Sequence, residues 1–197
     1  MERVFLMLLL PLTIGLILQQ NVAIALKVRG GVPTASPTNK GNAPNPLIEK
    51  ACANAQYKQS CTQTLKSQPE SETADMKKLA FLSLNKTKSL GSEIAAWVGD
   101  KLEDQESMGP GIEQALTDCN DQYTDAMAQL EDSLVAFFSN AYKDVNTWMT
   151  TAMNNANSCE DSLQKGNAVD VMGDKNKVFA QHCSNALAVV NALAQKQ

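Results

Sequence analysis

The sequence predicts an all-α protein: an up-down-up-down four-helix bundle preceded by an N-terminal helical hairpin and held by two disulfides. Three observations carry that prediction. Four long segments repeat apolar residues every three to four positions, and no stretch alternates convincingly with period two. After Pro46, proline survives only at Pro69 and Pro110, both between periodic segments. Four of the five cysteines fall where folded-back helices would bring them together.

Residues Met1 to Ala25 read as a secretory signal peptide. Arg3 supplies the positive start, Val4 to Leu18 the apolar run, and Ala23-Ile24-Ala25 a small-x-small site with the cut expected after Ala25. The run is shorter than the roughly 20 residues of a spanning helix and contains Pro11. With no second apolar run, no membrane association is expected after cleavage. Lys27 to Pro46 carries Lys27, Arg29 and Lys40 without an acid, among Gly, Pro, Ser, Thr and Asn; residues 26–46 are expected to form a flexible tail. The folded domain is then residues 47–197, long enough to bury roughly two thirds of its unfolded surface in one core.

That domain holds 20 acidic side chains against 13 lysines and no arginine. Such a surface is a poor match for phosphate backbones, so no nucleic-acid partner is expected. It favours a basic protein partner instead, in association rate more than in affinity.

Leu47 to Lys66 is a short helical element in which Leu47, Ile48, Tyr57 and Leu65 can pack. Cys52 and Cys61 stand nine residues apart, about 13 Å along a straight helix, which is too far to bond. The chain must therefore fold back between them as a hairpin. The first long helix is expected over Thr73–Leu102, with a capping start in Ser71-Glu72-Thr73 and Asp75 and an inner stripe running from Met76 through Leu79, Ser83, Thr87 and Ile94 to Val98. The second, over Gly111–Phe138, follows Pro110 and turns Ala115, Leu116, Cys119, Tyr123, Ala126, Leu130 and Phe137 inward. The third, over Asn140–Leu163, aligns Val145, Met149, Ala152, Ala156, Cys159 and Leu163; the fourth, over Asp174–Gln195, aligns Phe179, Cys183, Ala186, Val190 and Leu193. Short connections make the four an antiparallel bundle. Cys119 and Cys159 lie on inner stripes at similar distances from the turn near Ser139-Asn140, where a bridge can form. Cys183 is left over and is expected to be a buried free thiol packing as a small hydrophobe.

Catalytic chemistry is missing. His182 is the one histidine, and on a helix it points about 100° away from its neighbour Cys183. No nucleophile elbow, phosphate loop or metal-ligand spacing occurs, so neither an enzyme nor a cofactor is expected. What remains is surface. Asp118, Asp121, Asp125, Gln129 and Asp132 follow helical spacing on the second segment, largely away from the Cys119 stripe. Asp118, Asp121 and Asp125 are the candidate partner contacts. Asn85-Lys86-Thr87 is a glycosylation sequon, and Asn85 sits roughly 200° around the helix from Ser83, off the inner stripe.

Four blocks, in order, resemble the plant invertase inhibitor and pectin methylesterase inhibitor family. LIEKAC at Leu47–Cys52 with Cys61 and TLKS at Thr64–Ser67 resembles the family's opening hairpin. ALTDCNDQYTDAMAQLEDSL at Ala115–Leu134 and DVNTWMTTAMNNANSCEDSL at Asp144–Leu163 resemble its second and third bundle helices. CSNALAVVNAL at Cys183–Leu193 resembles its last. The resemblance implies Cys52–Cys61 and Cys119–Cys159 disulfides and a secreted protein of the plant apoplast and cell wall. It implies a non-catalytic, stoichiometric complex in which bundle helices cover the pectin cleft of pectin methylesterase, or, in the other branch, a Pro-Lys-Phe segment near the second turn that enters the sugar site of an acid invertase. That turn reads Phe137-Phe138-Ser139-Asn140-Ala141-Tyr142-Lys143-Asp144, without Pro-Lys-Phe. This and the cysteine of CSNAL favour the pectin methylesterase branch; SETADMKKL at Ser71–Leu79 resembles invertase-type members. A cytokine-like signalling bundle fits the motif blocks poorly, and plant lipid carriers differ in having eight cysteines on a shorter chain. The sequence leaves open whether the hairpin stays on its own bundle or is exchanged in a homodimer.

Overall fold

The computed structural model describes residues 45–104 and 108–195. The expected signal peptide, and the expected tail as far as residue 44, lie outside the described residues. Among those described, every regular element is helical.

The hairpin consists of α1 (Pro46–Ala51) and α2 (Lys58–Lys66). Asn45 starts it: its Oδ1 accepts from the Leu47 amide at 3.0 Å, while its Nδ2 donates to the carbonyls of Ser71 at 2.7 Å and Ala74 at 2.8 Å. One side chain thus caps α1 and ties it to the chain entering the bundle. Asn45 and Pro46, placed in the tail by composition, therefore belong to the folded unit. Cys52 and Cys61 are bonded, with Cα atoms 5.9 Å apart.

The bundle helices are α3 (Met76–Glu103), α4 (Pro110–Phe138), α5 (Tyr142–Lys165) and α7 (Lys175–Ala194), with a one-turn α6 (Val169–Met172) before the last. The start of α3 falls three residues later than expected. Pro69–Thr73 is a 3-10 turn, and Asp75 is the residue that caps α3, accepting from the Lys78 amide at 2.7 Å. The ends of α4 and α5 share one device. Asn140 and Asn167 take left-handed backbone conformations (φ 58° and 52°), and the next amide reaches back to Ala136 and Leu163 respectively. This is a Schellman stop, in which asparagine substitutes for the usual glycine.

Helix α3 packs on α4 and α7, and α5 packs on α4 and α7, so the order around the bundle is α3–α4–α5–α7 with α3 diagonal to α5. The hairpin lies over α3 and α7. Leu82 and Leu84 are buried in addition to the expected stripe of α3. At the centre, Tyr123 packs against Phe179 with ring centroids 5.5 Å apart. Gly91 makes room for that pair, since a Cβ there would stand 2.9 Å from the Phe179 ring.

Candidate functional site

Helices α4 and α5 form the most extensive pair in the bundle, and two features fix them to each other. Cys119 and Cys159 are bonded with Cα atoms 4.5 Å apart. Toward the start of α4, Gly111 meets Gly166 so closely that a Cβ on Gly166 would lie 2.6 Å from the Gly111 carbonyl oxygen. The side chains flanking this locked seam line an open groove of about 280 Å³. Asp118, Asp121 and Gln122 come from α4, and Ser158, Asp161, Ser162 and Lys165 from α5. Three carboxylates face one ammonium group, so the groove is acidic.

The residues of the expected stripe differ in exposure. Asp121, Asp125 and Asp132 are exposed, whereas Asp118 and Gln129 are half-buried. Asp118 Oδ1 accepts from Gln114 Nε2 at 2.9 Å, which orients its carboxylate. The groove thus brings Asp118 and Asp121 together, while Asp125 is not among its lining residues. The α5 half was missed at the sequence level. Its signal was present: Ser158, Asp161, Ser162 and Lys165 follow i, i+3, i+4, i+7 beside the inward Cys159.

A polar cluster supports the seam from beneath. The Tyr123 hydroxyl donates to Asn176 Oδ1 at 2.9 Å, and Asn176 Nδ2 donates to Glu160 Oε2 at 2.9 Å. This joins α4, α7 and α5 through a buried tyrosine that would otherwise lack a partner. Burial pushes the Tyr123 phenol well above its ordinary range, with Cys183 and Glu160 adding to the effect.

Phe138 and Val135 form a second exposed feature, at the turn between α4 and α5. They are 64% and 67% exposed, and Phe138 rests on Phe81 with centroids 5.6 Å apart. Asn140 stiffens the turn by accepting from Lys77 Nζ at 2.8 Å and from the Tyr142 hydroxyl at 3.0 Å.

Neither groove nor turn carries an activated group. Cys183 is buried and unpaired, and burial raises its thiol far above neutral pH, so the sulfur stays protonated. His182 is held below its usual range by burial and by the nearby Lys86 charge. Among the described residues, no group of three His, Cys, Asp or Glu side chains is placed to hold a metal ion, and no helix is long and apolar enough to cross a membrane.

Residues 46–189 match the family model described as plant invertase/pectin methylesterase inhibitor. A Platanus acerifolia protein provisionally named an invertase inhibitor is 29% identical over 134 residues, covering 68% of this chain and 74% of its own length. Pectinesterase inhibitor 2 of Arabidopsis thaliana is 26% identical over 157 residues, covering 79% and 89%. The crystal structure of a mutant form of a pectin methylesterase inhibitor from Arabidopsis superimposes with a TM-score of 0.63 at 20% identity, over 71% of this chain and 92% of that one. The match spans both helices of the hairpin, α3 to α6, and α7 as far as residue 189. On that match the chain is an inhibitor and not an enzyme: it belongs to the plant invertase/pectin methylesterase inhibitor family.

Proposed function

We propose that this protein is exported to the plant cell wall, with cleavage after Ala25, and there inhibits pectin methylesterase. The complex is non-covalent and stoichiometric, and the bundle covers the pectin-binding cleft of the enzyme. The observation that carries the docking face is the acidic α4–α5 groove, whose two walls are held in fixed register by Cys119–Cys159. A preformed, charged surface limits the ordering cost of association and raises the encounter rate with a basic partner. The absence of Pro-Lys-Phe from 137–144 supports the esterase as target over the invertase. The exposed Phe138 and Val135 favour a second reading, in which the α4–α5 turn enters the site of an acid invertase.

Charge reversal tests the face. The triple variant D118K/D121K/D125K keeps the fold, because the stripe makes no ion pair among the described residues. It should slow association with pectin methylesterase roughly tenfold or more at low salt, with a smaller effect on dissociation. Unchanged association kinetics in surface plasmon resonance would remove the groove from the interface.

A further inference from the structure

We infer that Asn85 is an N-glycan acceptor that must be filled before α3 forms, and that the glycan then projects from the exposed side of α3, away from the α3–α7 contact. The inference rests on the proposed export. Asn85 is exposed, and its amide makes no side-chain hydrogen bond among the described residues. Ser89, one turn on, is also exposed and small. Thr87, the hydroxyl of the sequon, is 0% exposed; its Oγ1 donates to the Ser83 carbonyl at 2.9 Å and lies 3.4 Å from the His182 carbonyl on α7.

Two residues apart on a helix means roughly 200° of rotation, so Asn85 points out while Thr87 points into the α3–α7 contact. A transferase that reads amide and hydroxyl together needs them on one side of the chain. Extended backbone provides that, because residues i and i+2 then share a face. The folded helix cannot. The order of synthesis leaves time for the reaction. Helices α4 and α7, the bundle neighbours that pack on α3, both follow it in sequence, and a helix owes most of its stability to such packing. In the step itself, C1 of the first N-acetylglucosamine leaves its phosphate oxygen on a polyprenyl-diphosphate donor and bonds to Asn85 Nδ2. The amide gives up one proton, and the lipid diphosphate departs. Asn85 stands one turn from both Phe81 and Lys88, which meet Phe138 and Glu131 of α4, so the glycan stands beside the α4–α5 turn and not over the groove lined by Asp118, Asp121 and Gln122.

The full chain expressed in a eukaryotic secretory host should show a mobility shift reversed by peptide N-glycanase, with Asn85 converted to Asp in the released peptide. T87S should retain the shift, and N85Q and T87A should lose it completely. A parallel chain, with Met1–Ala25 replaced by the host's own leader, separates the two premises. Export and modification of that chain alone would overturn the native signal while sustaining the acceptor site. Export without modification would overturn the site. Folded, oxidised, unglycosylated protein offered to microsomal transferase with lipid-linked donor should remain unmodified, and the reduced, unfolded chain should accept the glycan. Equal modification of both would overturn the required order.

Discussion

Replacing Cys119 and Cys159 together by alanine should cost about 4 kcal/mol and lower the melting temperature by roughly 10 °C. The bridge closes a 40-residue loop, and in the chain-entropy model most of its contribution comes from restricting the unfolded chain. Circular dichroism under oxidising conditions measures it, and the same variant under reducing conditions should match reduced wild type. The effect extends to function. Asp118 and Ser158 adjoin the two sulfurs in sequence and line opposite walls of the groove, so losing the bridge frees the walls to shift. Affinity for the target should fall even at temperatures where the variant is fully folded. A melting curve equal to that of oxidised wild type would contradict the role given to the bridge.

Phe179→Ala should destabilise by about 3–5 kcal/mol, a large share of the 5–15 kcal/mol typical of a domain. Phe179 is fully buried, packs on Tyr123 and fills the space left by Gly91. Its removal leaves a cavity among α3, α4 and α7 that rigid helices collapse only in part. Gly91→Ala alone should also destabilise, since its Cβ would meet the Phe179 ring at 2.9 Å, Met127 Sδ at 3.1 Å and a Leu130 methyl at 3.2 Å. Combined, the two changes should be less harmful than their sum, because the added methyl enters the space the ring vacates. Additive losses in urea denaturation would show that Gly91 and Phe179 do not share that space.

Much of this architecture is legible in the residues because buried faces impose a period. Cys119, Tyr123, Ala126 and Leu130 advance by three and four along α4, and all four are buried. Boundaries are less legible where several local signals compete. Ser71, Thr73 and Asp75 are all capping types within five residues. What selects Asp75 is tertiary: Asn45 takes the Ser71 and Ala74 carbonyls and holds the preceding segment as a 3-10 turn. Four residues are too few for a period to show, so α6 escapes a reading based on periodicity. For the candidate site, one wall was legible. Aspartates at regular spacing on α4 stand out, whereas serines with one aspartate and one lysine on α5 resemble any solvated face. Only the packing of α4 on α5 makes the two walls one surface. Asn176 was likewise out of reach, because its partners Tyr123 and Glu160 lie 53 and 16 residues away.

The most direct test of the central claim is a paired titration. The oxidised chain from Leu26 to Gln197 would be added to a plant pectin methylesterase and to a plant acid invertase at mildly acidic pH. The proposed function predicts stoichiometric loss of esterase activity with invertase unaffected. Loss of invertase activity alone would contradict it and move the docking site from the α4–α5 groove to the turn at Phe138.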